Sequence, residues 1–352
     1  MASTLTLRAG PDALRIVRER GLRAEDVDVL PGASGGPKWL VLAGLDRFLF
    51  GDLLRAPRDR PMHLIGSSIG SWRLACLAQA DPVAALDRAR EAYIEQRYPV
   101  KPRPSEVTEA SSRQLDALLG DTGTEEILHH PWARLHVLVT ACHGPAASER
   151  AWVQLAGLAV AAAGNLLHRR ALAAGMRRMI FHACGDDTPF RALRDFPTVH
   201  VPLTAENLKP ALLASASIPL VLSGVRVPGA PGVHRDGGIV DYHPDLDFGA
   251  GEGIVLYPHF YPHVVPGWFD RSLRWRRARP ANLRRALLIA PSAGFVAKLP
   301  NGKIPDRNDY YRMRDDERIR AWRTVVAESE RMADELRELM ETGRLAERIE
   351  GV

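Results

Sequence analysis

Short apolar runs alternate along the chain with longer stretches in which apolar side chains recur every three or four positions, a pattern that predicts buried strands between helices. Pro11–Arg20 reads as a helix: Pro11 suits its first turn, Leu14, Ile16 and Val17 form a stripe, and Gly21 can end it. Val27–Leu30 is a short strand that runs into Pro31-Gly32-Ala33-Ser34-Gly35-Gly36-Pro37-Lys38, after which Trp39–Phe50 has helical spacing. A second unit of the same kind follows, with the apolar run His63-Leu64-Ile65, the turn Gly66-Ser67-Ser68-Ile69-Gly70 and a helix-like segment through Leu77. Farther on, Asp81–Tyr98 and Ser105–Leu119 read as helices, and Leu135–Cys142, Arg177–Ala183 and Val199–Pro202 as strands. Thr204 caps a helix over Ala205–Ser215; Ile254–Tyr257 and Ala286–Ala290 are later strands, and a long helix of both charge signs covers Asp315–Glu347. Such alternation implies an α/β fold with a mostly parallel sheet covered on both faces.

One stretch stands apart. Ala151–Leu167 is the longest run without a charge, carries Gln154 and Asn165, and falls short of a membrane-spanning helix. It predicts a buried helix, with a lipid-facing cap over an active site as the second reading.

Composition narrows the class. The 352 residues are 46% hydrophobic and 25% charged, enough for a sizeable core. No internal repeat or low-complexity linker divides them, so we expect one catalytic domain over residues 1–300 and a helical extension over 301–352 packed on it. Cys76, Cys142 and Cys184 are odd in number and widely spaced, which fits a reducing compartment better than a disulfide framework, and no zinc-type spacing is present. The first residues carry no basic segment followed by an apolar one. A cytoplasmic protein, at most peripheral to a membrane, is the expectation. The net charge of +5 is modest, but Arg271-Ser272-Leu273-Arg274-Trp275-Arg276-Arg277-Ala278-Arg279 concentrates arginine around a tryptophan. A solvated basic face is the plain reading and contact with an anionic membrane surface the sharper one. No nucleic-acid module accompanies the run, so nucleic acid is not an expected partner.

Candidate chemistry lies in three places. Gly66-x-Ser68-x-Gly70, between a strand and a helix, holds a serine on a strained corner above a helix N-terminus, with glycines where a side chain would collide with a neighbour. The loop at 31–38 lacks the Gly-Lys-Ser/Thr close of a phosphate cradle and the G-x-G-x-x-G dinucleotide pattern. What remains is a plain βα turn or an oxyanion hole built from the Gly35 and Gly36 amides. Finally, Ala214-Ser215-Ala216-Ser217-Ile218-Pro219 leads to Asp236-Gly237-Gly238, which places a carboxylate on a loop free of neighbouring bulk, although Asp-Gly is also a common turn pair.

Taken in order, a glycine-rich loop, Gly-x-Ser-x-Gly and the Ser-Ile-Pro lead-in to Asp-Gly-Gly resemble the patatin-like phospholipase family, over about Val27 to His243. The resemblance implies a three-layer α/β/α sandwich and a Ser–Asp dyad in which Ser68 matches the nucleophile and Asp236 its partner. Gly35 and Gly36 match the oxyanion-hole glycines, and Lys38 stands where that loop carries Arg or Lys. Gly66, Gly70, Gly237 and Gly238 support the two turns. The resemblance further implies hydrolysis of acyl esters of phospholipid, lysophospholipid or neutral lipid without a cofactor. Two positions depart from the pattern: Ser34 stands at a usual glycine, and Trp39 replaces the loop's closing glycine. Three other readings stay open: an α/β-hydrolase triad with His243, His259 or His263 following Asp236, a lipid- or anion-binding protein without catalysis, and a metal site from His234, Asp236, Asp241 and His243, whose spacing matches no recognised ligand set.

Overall fold

A computed structural model describes residues 3–183, 188–249 and 251–352. Among them eleven strands form one mixed sheet: β1 (Leu5–Ala9), β2 (Val27–Gly32), β3 (Met62–Ser67), β4 (Ala133–Cys142), β5 (Met176–His182), β6 (Thr198–Pro202), β7 (Val225–Val227), β8 (Ala230–Asp236), β9 (Ile254–Pro258), β10 (Ala286–Pro291) and β11 (Ile349–Gly351). Across the sheet the order is β11-β1-β10-β9-β2-β3-β4-β5-β6, with β8 on β4 and β7 on β8. The central run from β10 through β9, β2 and β3 to β4 is parallel. Parallel neighbours need crossover connections, and the helices that make them flank the sheet as a three-layer α/β/α sandwich. The central strands are accordingly apolar throughout: no residue of β9 or β10 is exposed.

The longest of these strands sets the site. The first part of β4 pairs with β3, ending at Ser67 opposite Leu138. On the same edge, antiparallel β8 takes over, ending at Asp236 opposite Val139. The two strands therefore meet end to end along β4, and the residues just past Ser67 and at Asp236 are brought together by backbone register alone.

Most predicted elements match to within a few residues, and the differences have local causes. The helix predicted to Tyr98 is Pro82–Ile94, opened by Asp81, whose side chain accepts from the Ala84 N–H at 3.0 Å. It stops short of the proline-rich segment at 99–104, which cannot continue it. β1 and β11 have no counterpart in the sequence reading; both lie at one edge, where β1 pairs antiparallel to β10 and three residues of the C-terminus pair with β1. The long helix Asp315–Glu341 lies against Ala43–Phe48 so closely that a Cβ on Gly44 would fall 2.5 Å from the Ser329 carbonyl oxygen.

Ala151–Leu167 is a helix, but the expectation that it is buried fails. Trp152, Leu155, Val160, Leu166 and Leu167 are exposed, Val160 by 75% and Leu167 by 88%. Its buried residues are Gln154, Leu158 and Asn165. The polar pair turns inward because it has partners there: Gln154 Oε1 accepts from the Leu220 N–H at 2.7 Å, and Asn165 Nδ2 donates to Asp270 Oδ1 at 2.8 Å. No helix among the described residues is long and apolar enough to cross a membrane. Cys76 and Cys142 are buried free thiols, and Cys184 lies outside the described residues.

Candidate active site

β3 delivers its chain to the corner at Ser68, which adopts φ 53° and ψ −133° before the helix Ile69–Leu77 begins. A non-glycine residue there costs on the order of 1–3 kcal/mol and persists only where its surroundings hold it. Three contacts do so. The Ser68 N–H donates to Ser215 Oγ at 2.8 Å, Ser215 Oγ donates to the Leu138 carbonyl at 2.7 Å, and Ser71 Oγ donates to the Ser68 carbonyl at 2.7 Å. The helix can start here because Gly70 lies directly against β2: a Cβ at that position would sit 2.2 Å from the Gly32 carbonyl oxygen.

Ser68 Oγ donates to Asp236 Oδ2 at 2.8 Å, and the Gly238 N–H donates to the other carboxylate oxygen at 2.7 Å. The Asp236 N–H is held by the Ser217 carbonyl at 2.9 Å, so the segment that grips Ser68 through Ser215 also grips its partner. Both side chains are buried, Ser68 at 5% exposure and Asp236 at 6%. Burial pushes the Asp236 carboxyl up from 3.8 to about 6, against the opposing pull of the Ser68 hydroxyl, the Gly238 amide and the Arg307 charge. The result is a carboxylate still ionised at neutral pH but more basic than an exposed one.

The histidines lie elsewhere. His243 Nδ1 accepts from the Val265 N–H at 2.9 Å and His259 Nδ1 from the Tyr261 N–H at 2.8 Å, and neither they nor His263 hydrogen-bonds to Ser68 or Asp236. Burial holds His243 well below its ordinary value and His259 at about 3, so both rings are neutral. Asp241 is committed to Arg178, which donates to its two oxygens at 2.7 and 2.6 Å, and to Arg169 at 3.3 Å. His234 sits in β8 edge-on to Phe181. Among the described residues no group of three or more His, Cys, Asp or Glu side chains could hold a metal ion.

The glycine loop lies against the same corner. Ser34 Oγ and Ser67 Oγ hydrogen-bond at 2.8 Å, Ser67 in turn donates to the Asp241 carbonyl at 2.6 Å, and the Ser34 N–H donates to the Tyr242 carbonyl at 2.8 Å. Ser34, a departure from the family pattern, thus ties the loop to the corner, and Gly238 must be glycine because a Cβ there would fall 2.4 Å from Ser34 Oγ. Trp39, the second departure, is buried edge-on against Tyr93 with ring centroids 5.8 Å apart. Gly36 has φ +55°, and the Gly35 and Gly36 amides donate no hydrogen bond among the described residues, which leaves both free for a ligand. Lys38 reaches back to the Gly35 carbonyl at 3.4 Å. Burial, with the Arg271 and Arg307 cations nearby, pulls its ammonium down to about 8.

Two cavities open at Ser68. The larger, about 440 Å³, is walled by Ile69, Trp72, Val107, Ile218 and Leu222 together with tyrosines of the 93–98 and 310–311 segments. The smaller, about 60 Å³, includes Asp236, Gly35, Leu158, Leu220 and Trp268. Arg307 lines both. The sequence reading placed Ser68, Asp236, Gly35, Gly36, Lys38, Gly66, Gly70, Gly237 and Gly238 in one site, and all of them lie around this corner. It assigned no role to Ser215, although the lead-in containing it was singled out, nor to Arg307, whose loop carries no local signal at all.

A family model described as Patatin-like phospholipase matches residues 33–244, well over half of the chain. No curated protein and no solved structure matches.

Proposed function

The chain belongs to the patatin-like phospholipase family, and we propose that it hydrolyses acyl esters of lipids through an acyl-enzyme on Ser68, with Asp236 as the sole proton carrier. The observation that carries this reading is the 2.8 Å hydrogen bond from Ser68 Oγ to Asp236 Oδ2 at a strained strand–helix corner, with no histidine between them. Ser68 Oγ attacks the ester carbonyl while Asp236 takes its proton. The negative oxygen that forms is received by the Gly35 and Gly36 amides, and the proton on Asp236 passes to the leaving alcohol. Water then attacks the acyl-serine, again giving its proton to Asp236, and Ser68 recovers its own as the acid departs. An aspartate is a weak base for a hydroxyl. Its elevation to about 6 narrows that gap, and the oxyanion donors, each worth typically about a hundred- to a thousandfold in rate, supply much of the remainder. We assign residues 1–300 to the catalytic domain, with 301–352 as an extension that contributes Arg307 to the site.

Labelling by a serine-directed fluorophosphonate tests the reading, alongside turnover of a short acyl ester by wild type, Ser68→Ala, Asp236→Asn and His243→Ala. We expect label and turnover in the wild type, loss of both in Ser68→Ala, and loss of turnover in Asp236→Asn but not in His243→Ala. A lethal His243 change would favour a triad. An unlabelled, inactive wild type would leave a binding protein as the better reading.

A lipid surface is the partner we infer. The helix Ala151–Leu167 presents tryptophan, leucine and valine to solvent next to exposed Leu220, Trp268 and Trp275. Exposed Arg150 and Arg170 stand at its ends, and Arg271, Arg274, Arg277 and Arg279 are exposed in the neighbouring segment. These segments are tied together by the Gln154–Leu220 and Asn165–Asp270 hydrogen bonds and by Arg276, which donates to the Asn165 carbonyl at 2.8 Å. Apolar and indole side chains ringed by arginine match an anionic bilayer surface, and Leu158 of the same helix lines the smaller cavity beside Asp236.

A further inference from the structure

Resting on the hydrolase reading, we propose that Arg307 is a specificity residue that receives a phosphate group carried by the substrate beside the scissile ester. Arg307 comes from the C-terminal segment, far outside residues 33–244 matched by the family model, and reaches the site only through the fold.

Its surroundings make it an anion site. A Cβ added to Gly36 would meet the Arg307 Nε at 3.4 Å, so the Arg307 side chain passes the oxyanion loop with about a methyl group's space between them. It lines both cavities that open at Ser68. Among the described residues it forms no ion pair, since the neighbouring carboxylate, Asp306, is held by Lys303 at 2.9 Å. Its planar fork of donors is the geometry that carboxylate and phosphate oxygens take up in pairs.

Lys38 and Arg271 lie near Arg307 but outside the lining of both cavities; burial and the two arginines depress the Lys38 ammonium, and Asp306 opposes them. Asp236, the one carboxylate of the dyad, is shared with Ser68 and the Gly238 amide. Of the other charged side chains lining the two cavities, Asp236 belongs to the dyad and Asp315 pairs with Arg318 at 3.3 Å, which leaves the Arg307 charge to an anionic substrate. Phosphate suits this cation because its oxygens can accept from the guanidinium fork two at a time. The source is either the headgroup of a bilayer lipid or a soluble phosphate ester.

Two matched pairs of esters separate these sources: monobutyryl glycerol 3-phosphate against monobutyryl glycerol in solution, and phosphatidylglycerol against diacylglycerol in phosphatidylcholine vesicles. The readout is the ratio of kcat/KM for the phosphate ester to that for the neutral one, in wild type, Arg307→Gln and Arg307→Lys. Losing one charge-assisted contact to phosphate is expected to lower the ratio roughly 10- to 100-fold in Arg307→Gln, with Arg307→Lys retaining part of it. A fall confined to the vesicle pair assigns the headgroup, and a fall in the soluble pair assigns the free ester. The pH profile gives an independent readout: Arg307 helps to ionise Asp236, so in Arg307→Gln the acid limb moves to higher pH. A ratio unchanged in both pairs, whether or not the acid limb shifts, overturns the proposal. If wild type turns over neither member of a pair, the hydrolase reading has failed instead, and titration calorimetry with glycerol 3-phosphate still decides. Weaker binding by Arg307→Gln than by wild type supports the anion site; equal binding refutes it.

Discussion

Replacing Asp236 by Asn should abolish turnover and yet stabilise the protein. The burial that lifts this carboxyl from 3.8 to about 6 is a preference of the folded state for the protonated form. Two pK units at about 1.4 kcal/mol each give about 3 kcal/mol of stability lost to the ionised group near neutral pH. The sign follows from linkage: the folded-state value lies above the unfolded one, so the folded protein binds the extra proton. The contribution of this group to stability is therefore greatest below about pH 4 and is lost as pH rises through about 6. Asparagine removes that titration while keeping the contacts. Its oxygen can accept from Gly238 where Oδ1 does, and its amide can donate to Ser68 Oγ where Oδ2 now accepts. The assay is urea unfolding followed by tryptophan fluorescence for both proteins, from pH 4 to pH 8. All other groups titrate alike in the two proteins, so the stability difference isolates residue 236. We expect a difference that grows by about 3 kcal/mol across this range, in favour of the variant, with turnover as low as in Ser68→Ala. A difference that does not vary with pH, or one that turns against the variant as pH rises, would refute the argument that desolvation makes Asp236 a base.

The exposed apolar side chains of the helix Ala151–Leu167 predict that wild type cosediments with phosphatidylglycerol vesicles more than with phosphatidylcholine ones, and that Trp152→Ala with Val160→Asp lowers the ratio of vesicle to soluble-ester turnover about tenfold, the scale of one or two buried apolar side chains; vesicle binding unaffected by the pair, or self-association in its place, would sink the membrane reading. Gly70→Ala places a methyl group 2.2 Å from the Gly32 carbonyl oxygen, where only backbone can yield, so it should cost several kcal/mol or prevent soluble expression; a variant with a wild-type urea midpoint would show that the helix Ile69–Leu77 does not approach β2 as described.

The parts of this protein decided by sequence alone are local ones. Val27–Leu30 and His63–Ile65, each followed by a glycine turn and a helical stripe, specify strand–turn–helix units because spacing and turn chemistry act between neighbours. The corner at Ser68 and the loop at Gly35 and Gly36 were legible for that reason. Asp236 was legible only through its resemblance to a known motif, since Asp-Gly-Gly by itself is an ordinary turn. The register of β3 and β8 along one edge of β4 carries it across a separation of 168 residues to Ser68, and strand pairing between distant segments leaves no mark in local periodicity. The same holds for Ser215 and Arg307, which act at Ser68 only because the fold returns their segments to it. Ala151–Leu167 makes the contrast plainest. Apolar on nearly every face, its sequence fits a buried helix as well as an exposed one, and its orientation was decided by inward partners for Gln154 and Asn165, the Leu220 amide and Asp270, since a buried amide side chain must find its hydrogen bonds.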